Sequence, residues 1–231
     1  MVMAKNAGAQ LVQMEQIQLH PMGDPVTGSL DTNPLSGSVK NTIFVNSKGE
    51  RYVAEDARRD TLSKAALEQP EGMFWAVMDT NTYPNEDQHK SNFNKTMGEL
   101  IASGHAYKAD TLEELAKQMN VPADALVKTV NEFNEAVAAG KDGLGRKLFD
   151  QSIAKPPFYA GLRKPTVHHT MGGIKINKEA QVIGANGQVI PHLYAAGETT
   201  GGIHGANRLG GNALADINVF GRIAGRNAAK N

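Results

Sequence analysis

AAGETTGGIHGANRLGG, residues 195–211, is the stretch whose reading decides the fold. An apolar run with a turn before it, VIPHLY at 189–194, delivers Glu198 to a glycine-rich turn. Arg208, the stretch's one Lys or Arg, stands between Asn207 and the pair Gly210-Gly211, and a helical pattern runs from Asn212 to Ala229. Eight glycines fall among the 29 residues from Gly197 to Gly225. Glycine permits positive φ and lets backbone N–H groups approach a ligand, and a helix N-terminus adds partial positive charge. Upstream, VHHTMGG at 167–173 sets two histidines before another glycine pair. The two patches read as walls of one site for an anionic or phosphate-bearing ligand. Against that, the glycines could serve only tight strand–helix packing, with Arg208 on the surface.

Composition bounds the classes. At 231 residues the chain suits one large domain or two small ones. Hydrophobic residues make up 40% and charged residues 21%, the balance of an ordinary globular protein. Lys plus Arg and Asp plus Glu are 24 each, so no basic field argues for nucleic acid. No apolar run approaches the roughly 20 residues that span a bilayer, and both a cytoplasmic and a periplasmic setting stay open. Cysteine is absent, which removes disulfides, thiolate chemistry and cysteine-ligated metals. The N-terminal MVMAKNAGA reads as the second half of an amphipathic helix, so the chain is expected to be a fragment.

In chain order, the patterning predicts helix over 1–9 and strand over 10–19, ended by His20-Pro21. Residues 21–41 form a long loop of the kind that is often functional. TIFVN and RYVAE read as a hairpin around SKGE, and a helix over 56–69 turns Leu62 and Ala66 inward and stops at Pro70. MFWAVM (73–78) reads as a buried strand, 89–103 as helix and 106–109 as a short extended segment. A helix opens at Asp110-Thr111, and 123–139 is amphipathic through Leu126, Val130, Phe133 and Val137. The stretch 141–167 reads as loop, followed by short strands around a GANGQ turn. The expected fold class is α+β with a boundary at about 155–167.

The chemistry-bearing groups each carry two readings. His168-His169 could be acid–base groups, ligand-orienting donors or structural histidines; His192 and His204 do not complete a metal-binding spacing, so no metal is expected. Arg58-Arg59-Asp60 would ordinarily be a solvated charge cluster, and His20 a satisfied histidine. No GxSxG, Walker or HExxH pattern is present, and GxGxxG fails on spacing.

VHHTMGGIKIN and LYAAGETTGGIHGANRLGGNALADINVFGRIAG, with QLHP near residue 20 and FVNSKGERYVAEDARRD, resemble the fumarate reductase/succinate dehydrogenase flavoprotein superfamily. The likeness is strongest to the soluble flavocytochrome c fumarate reductases and the urocanate and acrylate reductases. The resemblance implies a clamp (capping) domain over residues 20–165. It implies that 1–19 and 166–231 are pieces of a Rossmann-like FAD-binding domain whose N-terminal half is absent. It further implies that Arg208 and His168 hold a substrate carboxylate, with Gly211 at the substrate–flavin junction and His20 near the substrate's other end. Arg59 would deliver a proton, while His169, Glu198, Ala213 and Leu214 would contact FAD. The implied reaction is hydride transfer from flavin to the C=C of a small α,β-unsaturated carboxylate. The implied partners are the missing FAD-binding half, or a chain that supplies it, and a haem or FMN electron donor. SLDTNPLSGSVKN (29–41) lacks the Glu and Arg that dicarboxylate-specific members carry, which makes a monocarboxylate as expected as fumarate. With one wall of the flavin site, the isolated chain is expected to be inactive; the alternative is a non-catalytic carboxylate-binding or split-subunit module.

Overall fold

The computed structural model of the chain describes residues 1–32, 41–87 and 95–230. In chain order its elements are α1 (Val2–Asn6), β1 (Leu11–Val12), β2 (Ile17–Gly23), β3 (Thr42–Val45), α2 (Arg59–Leu67) and β4 (Phe74–Asp79). α3 (Met97–Ala102), β5 (Tyr107–Ala109), α4 (Leu112–Met119) and α5 (Ala123–Ala139) follow. The last are β6 (Phe158–Thr170), β7 (Gly173–Lys175), β8 (Gln181–Ile183), β9 (Val189–Tyr194), β10 (Thr200–Gly201) and α6 (Asn212–Ala228). The fold is mixed α+β, and it divides into two compact units, 1–19 with 167–231 and 20–166. The expected helix over 89–103 lies partly outside the described residues; within them, Thr96 opens α3 with a reciprocal capping box to Glu99.

The larger unit is built on β6, which runs antiparallel to β4 from Phe158↔Asp79 to Arg163↔Phe74. β3 extends the sheet beyond β4, while β2 and β5 lie on the other side of β6. One face carries Ile43, Val45, Val77 and Ala160 against Leu115, Leu126, Val130 and Phe133 of α4 and α5. The opposite face carries Phe44, Phe74, Met78 and Tyr159 against Leu62 and Ala66 of α2 and Met97 and Leu100 of α3. α5 begins and ends where the periodicity places it, and Gly140 (φ 64°) closes it in the left-handed conformation.

Four expectations are corrected. The strand over 10–19 is broken by a turn, with Gln13 at φ 54° and a Gln16 N–H to Gln13 C=O bond, so that β1 and β2 join different sheets. β2 then continues through His20-Pro21 to Gly23, because it is an edge strand and a missing proline N–H costs no ladder bond there. RYVAE is not a hairpin arm: Val45 and Arg51 make one isolated bridge, and β3 pairs with β4 instead. The stretch read as loop, 141–167, gives way at Phe158 to FYAGLRKPTVHHT, which runs on to Thr170 as the longest strand among the described residues, despite Gly161, Lys164 and Pro165.

Glu55 ties the irregular stretches of this unit together. Its fully buried carboxylate accepts from the Phe44 N–H (3.1 Å), Arg51 Nε (2.7 Å), Arg51 Nη2 (2.6 Å) and Arg146 Nη1 (3.0 Å). Arg146 also donates to the Thr42 and Leu148 carbonyls and lies over the Phe133 ring at 4.9 Å. Arg51 bridges to Asp142 at 2.7 Å. The loop after α5 is therefore held by charge pairs rather than by ladder bonds. Removing one partner of a buried pair leaves the others uncompensated, so Glu55→Ala is expected to cost about 3–5 kcal/mol in urea unfolding. Arg58→Ala, which breaks only the exposed Arg58–Asp60 pair, is expected to stay within about 0.5 kcal/mol.

Candidate functional site

In the smaller unit, β7 lies between β1 and β10, and glycines set the spacing. A Cβ on Gly173 would stand 2.4 Å from the Thr199 carbonyl oxygen, one on Gly172 2.1 Å from that of Gln13, and one on Gly201 2.4 Å from the Gly173 nitrogen. These glycines serve backbone approach. At Gly205, Gly211, Gly221 and Gly225 an added methyl group would meet nothing within 4 Å, so packing does not explain them. The packing reading thus accounts for some of these glycines, while Gly205 (φ 63°) and Gly211 (φ 88°) are required by backbone conformation instead.

This spacing brings the 3-10 turn Gly197–Thr199 beside the end of β6. Glu198 Oε1 accepts from the Thr170 N–H (2.9 Å) and hydroxyl (3.2 Å), and Oε2 lies 3.4 Å from His169 Nδ1. Burial pushes the Glu198 carboxyl up, but the Thr170 N–H and hydroxyl and the charges of His169 and Arg208 outweigh it and hold the group below the usual range. His169 is 3% exposed. Burial, the nearby Arg208 guanidinium and His204 hold its pKa below the ordinary histidine value, against the pull of Glu198 and Asp216. With Nδ1 facing a carboxylate, the neutral ring carries its hydrogen there and presents Nε2 as an acceptor; Nε2 is buried without a partner among the described residues.

Residues 202–211 belong to no helix or strand. Gln18, buried at the foot of β2, donates from Nε2 to the Arg208 carbonyl (2.7 Å) and to Asn207 Oδ1. His204 Nε2 meets Asp216 Oδ2 at 3.1 Å, and the His169 and His204 rings stand edge to face at 5.4 Å. Arg208 is half-buried, with Nε lacking a partner among the described residues. Gly211, at φ 88°, precedes α6 without a side-chain cap, and the first turn of α6 holds no acidic residue. The Leu214 N–H is taken by the Gly211 carbonyl (2.9 Å) and the Asn212 N–H by that of Leu209 (3.3 Å), so the partial positive charge of this helix start is met by backbone carbonyls and by no side chain or acidic residue.

The structure thus gathers His169, Glu198 and Arg208 into one electrostatic cluster, on the same unit as His168, Gly211, Ala213 and Leu214. His20 and Arg59 lie on the other unit: His20 Nδ1 accepts from the Met22 N–H (3.2 Å), and Arg59 opens α2 half-buried. The loop read as determining the second carboxylate site, 29–41, lies largely outside the described residues. Sequence reading missed Thr170, Gln18 and Asp216. Asp216 had a signal, an acidic residue within the apolar run ALADINVF; Thr170 and Gln18 act through contacts distant in sequence.

The buried His169 Nε2 without a partner among the described residues and the clear space at Gly211 are compatible with a polar ligand edge such as that of a flavin. The family model described as FAD binding domain matches residues 1–214. The chain is 46% identical to the NADH:acrylate oxidoreductase of Vibrio harveyi over 97% of its length, and 41% identical to the fumarate reductase (cytochrome) of Shewanella frigidimarina over 98%. It spans only 22% and 38% of those two proteins. Among solved structures, the open conformation of a flavocytochrome c3 fumarate reductase matches 99% of the chain with a TM-score of 0.79 and 40% identity, the chain spanning 39% of it.

The charge cluster gives a direct test by histidine NMR. Glu198→Gln removes an anion and is expected to move the His169 titration to lower pH; Arg208→Gln removes a cation and is expected to move it higher. Shifts in the opposite sense would contradict the arrangement. Because the folded pKa of His169 lies below the unfolded one, its contribution to stability is present above about pH 6.5 and lost as pH falls through the folded value. Fold and comparison converge: the chain belongs to the FAD-binding domain family, within the fumarate reductase/succinate dehydrogenase flavoprotein superfamily.

Proposed function

We propose that this chain is the substrate-gripping part of an FAD-dependent oxidoreductase that reduces the C=C of a small α,β-unsaturated carboxylate: fumarate, urocanate or another acrylate. The observation that carries the reading is the Arg208–His169–Glu198 cluster beside an uncapped helix start, within residues matched by the FAD-binding family. When bound, FAD supplies the hydride that goes to one alkene carbon. His169, Glu198, Ala213 and Leu214 hold the cofactor, and Gly211 leaves room where cofactor and substrate meet.

The chain's own residues do the rest. Arg208, with His168, grips the carboxylate; a guanidinium fork matches a carboxylate in two hydrogen bonds and withdraws charge from the conjugated alkene. His20 holds the substrate's other end. Arg59 gives a proton to the second alkene carbon, starting protonated because an arginine pKa lies above about 12, and it needs a relay that reprotonates it. Positioning and stabilisation of the developing negative charge supply most of the rate. Residues 20–165 act as the clamp domain. A haem or FMN module delivers electrons, a role that the cytochrome-type name of one relative supports.

Activity resides in an assembly larger than these 231 residues. The short span of the relatives supports this, as does α6, where Leu214, Ile217 and Val219 are 64%, 45% and 52% exposed. A non-catalytic module that completes its site with a partner chain is the second reading, favoured by the same exposed face. Two measurements separate the readings. The chain alone is expected to take up FAD weakly or not at all, read by flavin absorbance after desalting; stoichiometric uptake would contradict a one-walled site. In the flavin-loaded assembly, Arg59→Ala is expected to abolish acrylate or fumarate reduction while FAD stays bound. Undiminished turnover would remove Arg59 from the proton-donor role, and no turnover with any unsaturated acid before mutation would favour the non-catalytic reading.

A further inference from the structure

Arg208 sits on a segment with no regular structure, so something other than ladder hydrogen bonds must fix it. Two side-chain anchors flank it. Gln18 holds the Asn207–Arg208 end through two acceptors. At the other end, His204 is tied to α6 by its 3.1 Å contact with Asp216, the one residue of α6 that is buried. An aspartate inside a helix whose apolar neighbours are exposed has no packing role to explain its burial. We propose that His204 and Asp216 form a positioning pair: Asp216 fixes His204, and with it the conformation of 202–211 that presents Arg208. The inference rests on the reading of Arg208 as the carboxylate grip, although its test needs neither flavin nor substrate.

The titratable group facing this pair is His169 from β6, whose ring stands 5.4 Å from that of His204; Glu198 from the 3-10 turn and Arg208 from the segment itself act on His169 in turn. The contact does not require an imidazolium. A neutral His204 that carries its hydrogen on Nε2 also donates to Asp216, leaving Nδ1 as the acceptor. The neutral ring is thus expected to be a single tautomer.

The test is 1H–15N NMR of the full chain, following the His204 ring nitrogens and the Arg208 Nε–H. In the native protein, neutral His204 is expected as the Nε2–H tautomer and the Arg208 Nε–H as one slowly exchanging resonance. Asp216→Ala is expected to mix the His204 tautomers and to speed Arg208 Nε–H exchange about tenfold or more, whereas Asp216→Asn, which keeps an acceptor, restores most of the protection. His204→Phe keeps a ring against His169 and breaks the contact from the other side, so it carries the test if Asp216→Ala fails to fold. Arg208 Nε–H exchange within about twofold of native in a folded Asp216→Ala or His204→Phe would overturn the proposal. That outcome would leave the role of Arg208 itself untouched.

Discussion

The smaller unit depends on a backbone approach that only glycine allows. β7 is pressed between β1 and β10 closely enough that a methyl group at Gly172, Gly173 or Gly201 would overlap main-chain atoms. Such overlap could be relieved only by separating the strands. That separation would carry the turn bearing Glu198 away from Thr170, and the carboxylate would lose the N–H and hydroxyl donors that hold its pKa below the usual range. The steric constraint on three glycines is thereby transmitted into the electrostatics of His169 and Arg208.

Those electrostatics are unevenly compensated. The Glu55 cluster of the larger unit is closed, with four donors converging on one carboxylate. In the smaller unit, His169 Nε2, Arg208 Nε and Asp216 Oδ1 are buried without partners among the described residues, and α6 starts without a cap. Buried polar atoms are ordinarily satisfied; in the larger unit Thr42 Oγ1, Tyr52 OH, Ser63 Oγ and Arg163 Nε are likewise without partners among the described residues, but none belongs to the Glu55 carboxylate. One cluster is satisfied within itself, and the other leaves buried polar atoms without partners among the described residues.

Much of this was legible in the sequence. The period of α5 and the glycine closing it, the burial of Leu62 and Ala66, and the pairing of Glu198 with a glycine-rich turn all follow from local pattern. β6 did not, because Gly161, Lys164 and Pro165 argue against a strand locally, while pairing with β4 along Phe158–Arg163 overrides them. The break between β1 and β2 was hidden for the opposite reason: alternation continues across Gln13–Gln16, and only the left-handed Gln13 reveals a turn. The site residues came from resemblance to a family, and their side-chain partners did not. Gln18 with Arg208 and His204 with Asp216 are contacts between residues 190 and 12 positions apart that no spacing rule connects.

The central claim is that this cluster serves reduction of a C=C conjugated to a carboxylate. Its most direct measurement is anaerobic single-turnover reoxidation of the reduced, flavin-loaded assembly containing this chain, followed by flavin absorbance on mixing with acrylate, urocanate or fumarate. At least one of these acids is expected to reoxidise the flavin, yielding the saturated acid in equal amount. The saturated acid, offered instead, is expected to leave the flavin reduced. Flavin that stays reduced with all three unsaturated acids, while an unrelated oxidant reoxidises it promptly, would contradict the claim.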